Sequence, residues 1–258
     1  MPGSGIGAVA SGIADAVPEA VAHVAPGLPG RAVIQQRWSD AVFLHWRVAP
    51  ADVAPWLPKG TRPDTTADGS AWVGLIPFRL ERTAFPPLPV VPWLGTFLET
   101  NVRLYAVDDR GRRSVVFRSL DAAHLLPVLA ARIGLGLPYR WARMRGERTG
   151  AVLRYASERL EGRTRPRTRI EVRRSADRVE GDELADFLTA RWAMHVGRFG
   201  GTTYWRNEHE PWPLFRAELL DLRDELLADA GFPELAVRPP DSVLYSPGVR
   251  TRFSAPVR

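Results

Sequence analysis

The chain has 258 residues, 45% of them hydrophobic, which is ample material for one large core. It contains no cysteine, so disulfides, thiolate nucleophiles and thiolate metal sites are excluded, and a reducing, cytoplasmic setting is expected. The formal charge is +6, yet 34 of the 35 basic residues are arginine and 29 acidic residues lie among them, so no continuous basic track for nucleic acid is expected. The densest basic stretch, Arg163 to Arg178, alternates with other residues and reads as the solvent face of a strand.

Residues 1–30 are small, apolar and rich in glycine and proline. They lack a basic leader region, and Asp15 and Glu19 interrupt them, so a signal peptide is not expected. The loose spacing of Ile6, Val9, Ile13, Val17, Val21 and Val24 predicts a flexible or weakly helical arm, with a single domain over residues 31–258. No run of about 18 uncharged apolar residues predicts a membrane helix, and no membrane partner is expected.

From Arg31 onward the pattern is mainly β. Trp38 to Val48 is rich in aromatic and β-branched residues and reads as a strand. Ala51 to Leu57 is a short helical turn, ended by Pro58 and Gly60. The Asp68-Gly69 turn feeds Ser70 to Leu80, apolar on both alternating faces and therefore a buried central strand. Phe85 to Trp93 carries four prolines and reads as a loop over a pocket, since each proline removes a ladder donor. Thr96 to Val107 and Arg113 to Leu120 form a hairpin around Asp108 to Gly111.

A helix is predicted from Pro127 to Ile133, then strands at Leu137 to Arg145, Gly150 to Arg159 and Thr168 to Arg174. Asp182 to Ala190 reads as a short helix, and Trp212 to Ala230 as the clearest helix of all, from a 3.6-residue period ended by Gly231 and Pro233. Ser242 to Phe253 is predicted as a strand pair broken at Pro247-Gly248.

The residues with most chemical content lie on Phe97 to Tyr105. Alternation puts Leu98, Thr100, Val102 and Leu104 on one face, as core. The other face carries Phe97, Glu99, Asn101, Arg103 and Tyr105: an acid, an amide and a cation bracketed by aromatics. Arginine offers a fork for a carboxylate. A glutamate with a raised pKa serves as general acid or base. An exposed polar face with a cross-strand ion pair is the competing reading. His45, between Leu44 and Trp46, reads as a core or pocket-wall histidine. Asp121 is expected to cap a turn or to pair with Arg118 or Arg132, and His209 to fix a loop. No HExxH, GxSxG, GxxxxGK[ST] or GxGxxG occurs, so neither a metal, a nucleophile elbow nor a nucleotide cofactor is expected.

Several segments in order carry a family resemblance: Phe43-Leu44-His45-Trp46, Leu57-Pro58-Lys59-Gly60, Ala71 to Phe78, Phe97 to Tyr105, Ser119 to Ala122, Gly136 to Tyr139, His209 to Leu214, and Tyr245 to Val249. Together they resemble the YqjF-like bacterial proteins of the acetoacetate decarboxylase-like superfamily. The resemblance implies an α+β fold, mainly antiparallel β: a cone-shaped β-barrel with a few peripheral helices around a pocket. It directs the Glu99/Asn101/Arg103 row toward that pocket. Decarboxylases of the superfamily use a lysine Schiff base, expected near His124, but the one lysine here is Lys59 in a Pro-Lys-Gly turn, so imine chemistry is disfavoured.

The expectation is a small-molecule protein for a carboxylate or carbonyl ligand. Glu99 would handle a proton, Arg103 would anchor an anionic group, and Asn101, His45 and Tyr105 would orient the ligand. A non-catalytic carrier or sensor is the first alternative, and a structural or interaction module the second. Nine tryptophans leave apolar surface for a homo-oligomer.

Overall fold

The computed structural model describes residues 16–88, 90, 95–125, 134, 136–198 and 200–257. Among them, twelve strands run in the order β10-β9-β5-β6-β7-β8-β11-β12-β1-β3-β4-β2, where β2 is Thr61–Pro63, β6 Tyr139–Thr149 and β11 Phe215–Asp224. Two further pairings, β4 with β5 and β10 with β12, close this sheet into rings of strands. The pairings are antiparallel except β5 with β6 and β5 with β9. The mainly antiparallel fold with few helices is as expected, and the expected cone takes the form of these joined rings.

Three long strands form the shared wall: β1 (Ala32–Val48), β3 (Ala71–Ala84) and β4 (Phe97–Asp108). On one side Leu44, Trp46, Leu75, Val102 and Leu104 pack against Leu153 of β7 (Val152–Arg159) and against Ile170 and Val172 of β8 (Arg167–Arg178). Each is essentially excluded from water, and each large side chain so buried contributes about 1.5–3 kcal/mol. On the other side the wall meets β5 (Arg113–Ala122), β9 (Ala193–Arg198), β10 (Gly201–His209) and β12 (Ser242–Ser254), which close the second ring around an internal cavity. As its two-faced apolar pattern predicts, β3 is buried on both faces over Ala71 to Phe78.

Strand β8 also fulfils its pattern: Thr168, Ile170 and Val172 point inward while Arg167, Arg169 and Arg173 face solvent. Asp182 caps the helix Glu183–Thr189 by accepting from the Ala185 amide at 3.0 Å.

Two expectations are corrected. Trp212 to Ala230 is not one helix. Phe215–Asp224 is strand β11, paired antiparallel with β8, and only Leu226–Asp229 is helical. The register of β11 shifts between Leu219 and Asp221, so Phe215, Ala217 and Leu219 pack inward at a spacing of two and Leu222 follows at three. A bulge inside an alternating strand thereby imitates a helical period. Likewise Ser242–Ser254 is one strand, not two. At Pro247-Gly248 it kinks opposite Asp40, which lies between the paired positions Ser39↔Gly248 and Ala41↔Ser246. Gly248 has φ +120°, and a Cβ there would stand 1.9 Å from the Trp38 carbonyl oxygen, so glycine is required.

The hairpin β9–β10 lies in a stretch for which the sequence predicts no strand. Residues 16–30 hold no helix either. They run extended across the domain, tied by Glu19 N to Gly111 O (2.8 Å), Trp192 Nε1 to Ala22 O (2.7 Å) and Leu28 N to Glu208 Oε2 (3.0 Å). The predicted helix at 127–133 falls outside the described residues, as do residues 89 and 91–93 of the proline loop.

Candidate functional site

The cavity has a volume of about 590 Å³, within the range of pockets that enclose drug-sized molecules. Its wall is mostly aromatic and aliphatic, with Trp38, Phe43, Phe78, Phe97, Phe117 and Trp212 prominent. Phe85 and Leu88, at the start of the proline loop, line it while remaining 54% and 66% exposed, so they mark its mouth.

Strand β4 contributes three of the polar groups in this wall. Alternation along that strand turns Phe97, Glu99, Asn101 and Arg103 to the cavity, and Leu98, Val102 and Leu104 to the opposite core. The exposed polar face considered from sequence is therefore not what forms: Glu99 is 3% exposed and Asn101 4%. Glu99 accepts from Tyr139 Oη at 2.8 Å. Burial pushes its carboxyl up to about 7, helped by the nearby charge of Asp121 and opposed by hydrogen bonds from Tyr139 and Asn101. Asn101 Oδ1 is buried with no hydrogen-bond partner among the described residues.

Arg103 is held from behind. Its Nε donates to Tyr105 Oη at 3.0 Å and its Nη2 to the Leu188 carbonyl at 2.9 Å. Tyr105 Oη donates to the same carbonyl at 2.9 Å and lies 2.6 Å from His45 Nε2. With the tyrosine proton committed to Leu188, His45 Nε2 carries a proton and donates to the tyrosine oxygen. Burial, and then the charges of Arg103 and Arg191, hold the His45 pKa well below its ordinary value, so the ring is neutral. His45 and Tyr105 therefore sit a layer beneath the cavity surface and orient Arg103. A side chain at Gly74 would meet the His45 ring at 3.0 Å, so glycine makes room for it.

A second cation, Arg191, lines the cavity from the segment between Glu183–Thr189 and β9. Its Nε donates to Phe187 O at 2.7 Å and its Nη1 to Asp64, which Arg113 also engages. Nη2 is buried with no hydrogen-bond partner among the described residues. Nothing in the local sequence marks this arginine, because Asp64 and Phe187 meet it only through the fold. His209, read from sequence as a loop-fixing residue, does bond the Glu210 carbonyl at 2.6 Å, and it also lines the cavity. Its ring packs 4.5 Å from Trp192, and burial lowers its pKa to about 4.

Asp121 does not pair with Arg118, and Arg132, the other expected partner, lies outside the described residues. It takes a two-pronged contact from Arg159, 2.7 and 3.2 Å, on the side away from the cavity. Lys59 is exposed on its turn and does not line the cavity. Ser114, His195 and Asp108 form a row with contacts of 2.5 and 3.4 Å. Ser114 is wholly buried and does not line this cavity, so the row packs β5 against β9 and presents no nucleophile to a ligand there. Among the described residues no cluster of histidine and carboxylates is suited to hold a metal, and no helix is long and apolar enough to cross a membrane.

The fold is that of the acetoacetate decarboxylase-like proteins. An acetoacetate decarboxylase-like enzyme from Sphingomonas wittichii RW1 aligns over 89% of this chain and 93% of its own, with TM-score 0.60 at 14% identity. Acetoacetate decarboxylase from Legionella pneumophila aligns over 90% and 92%, with TM-score 0.58 at 11% identity. The enduracididine biosynthesis enzyme MppR, solved with the condensation product of pyruvate and imidazole 4-carboxaldehyde, aligns over 91% and 95%, with TM-score 0.58 at 14% identity.

Within that fold the chain belongs to the DUF2071 family, described as "Uncharacterized conserved protein", whose model matches residues 35–250. The chain is also similar to the uncharacterized protein YqjF of Bacillus subtilis (strain 168), 34% identical over 187 residues, which are 72% of this chain and 76% of that protein.

Proposed function

We propose that this protein binds an organic acid or carbonyl compound in the cavity and acts on it by acid/base chemistry that needs no lysine imine. The observation that carries this reading is Glu99: a carboxyl 3% exposed, titrating near 7, on the same strand face as a held arginine. Arg103 anchors the anionic or carbonyl end. Glu99, as carboxylate, takes a proton from carbon beside a carbonyl; the C–H bond breaks, its electron pair moves to the carbonyl oxygen, and an O–H forms on Glu99. With a pKa near 7 the same group returns the proton. Asn101 steadies Glu99, and His45 and Tyr105 hold Arg103 in place. That MppR, of the same fold, is solved with a condensation product of pyruvate supports a carbonyl or carboxylate ligand.

The test follows deuterium exchange into a panel of keto acids and ketones by NMR. Glu99→Gln should slow exchange by about 10²- to 10⁴-fold while leaving binding within a fewfold. A second reading, a carrier or sensor, is favoured by the mostly apolar wall. It predicts binding without exchange, indifferent to Glu99→Gln.

A further inference from the structure

From the same cavity, and resting on the reading above that it is a ligand site, we infer that its ligand is an amphipathic monocarboxylate. The carboxylate is gripped jointly by Arg103 and Arg191, and an extended apolar body lies along the aromatic wall toward Phe85 and Leu88. Pyruvate-sized acids would then be fragments of the true ligand, not its model.

The first argument is charge. Asp64 is a single carboxylate shared by two arginines, Arg191 and Arg113. Arg103 has no acidic partner among the described residues within salt-bridge distance. The deep end of the cavity therefore holds more positive than negative charge, with burial opposing it. Such an excess is costly unless a ligand neutralises it. The guanidinium carbons of Arg103 and Arg191 stand 5.5 and 4.7 Å from the Tyr105 ring centroid, so both cations pack against the one ring that backs this end of the cavity.

The second argument is the orphaned donor. Arg191, its side chain only 3% exposed, lines the cavity, and its Nη2 is buried with no hydrogen-bond partner among the described residues. Leaving such a group unmet costs about 1–3 kcal/mol, more when charged, and a ligand oxygen would recover it. Nε and Nη1 of that guanidinium are engaged, so Nη2 is the nitrogen left with hydrogen-bonding capacity for a guest.

The third argument is length. Arg103 and Phe97 are six residues apart on one strand, about 20 Å at about 3.3 Å per residue. The charged groups lie at the buried end of this span, and the exposed Phe85 and Leu88 lie at the mouth. A three-carbon acid at Arg103 would leave most of an apolar cavity of about 590 Å³ unfilled.

Isothermal titration on the full chain decides this with pyruvate, the straight-chain carboxylates from butanoate to dodecanoate, and decan-1-ol. Affinity should rise about fourfold per added methylene until the cavity is full. Decan-1-ol should bind more weakly than decanoate, and both Arg191→Lys and Arg103→Met should weaken decanoate about tenfold to a hundredfold while sparing decan-1-ol. A thermal melt identifies any variant that is not folded, and Arg103→Met carries the test if Arg191→Lys is lost.

Decanoate binding no tighter than pyruvate overturns the inference, and Arg103-dependent pyruvate binding would then leave the proposed function standing. Decan-1-ol matching decanoate, or decanoate indifferent to both substitutions, overturns the two-arginine anchor. If no carboxylate and no alcohol binds, the cavity is no ligand site and both readings fall together.

Discussion

Arg159 and Arg191 are two almost fully buried arginines in one protein, and they are treated differently. Arg159 spends all three nitrogens on carboxylates: Nε and Nη2 on Asp121 at 3.2 and 2.7 Å, Nη1 on Asp229 at 2.5 Å. It joins β7 to β5 and to the helix Leu226–Asp229, away from the cavity. Arg191 shares its carboxylate with Arg113 and keeps one nitrogen unbonded at a cavity wall. A closed cluster spends its charge on holding the chain together. An open one holds charge in reserve, at a cost to stability that is tolerated where a ligand can recover it.

The largest effect should come from breaking the closed cluster. Arg159→Met leaves Asp121, wholly buried, without its cation, and should cost about 3–5 kcal/mol in denaturant unfolding. Arg191→Met should cost less than half of that, because Arg113 still serves Asp64. Equal losses would erase the distinction between the two clusters.

Next in size is the acid of the open region. The carboxyl of Glu99 titrates near 7 in the folded protein and near 4.5 when unfolded. Between those values the folded state binds more protons, so its stability falls as pH rises through the window. Glu99→Gln removes that penalty while keeping an acceptor for Tyr139. It should stabilise the protein by about 3 kcal/mol at pH 8 and by little at pH 4, read from urea midpoints at both pH values. A variant less stable at pH 8 would place Glu99 with the closed clusters. The smallest effect is the reference point: Lys59→Met should leave stability within about 0.5 kcal/mol and ligand binding unchanged, measured by the same titrations.

What could be read in advance follows from how local each signal is. The β4 row was legible because side chains alternate along any strand, so Glu99, Asn101 and Arg103 had to share a face, opposite Leu98 and Val102. Which face met the cavity depended on the closure of the ring, and there only the resemblance to a family pointed the way. Strand β11 was misread because one bulge turns a spacing of two into three. Arg191 was invisible because its meaning lies in Asp64, 127 residues away in sequence. Asp121 was recognised as a pairing residue, but its partner, Arg159, is 38 residues distant and reaches it only through the β5–β6–β7 part of the sheet.

The solitary lysine, which offers no amine to the cavity, has a different use at the bench. Lys59 stands exposed on a turn where Thr202 clasps the main chain at 2.8 Å. Amine-directed reagents would therefore find one side-chain target beside the terminal amine, with no thiol to compete. A fluorophore or a surface tether coupled there would leave the cavity untouched, giving an oriented sample for the titrations proposed above.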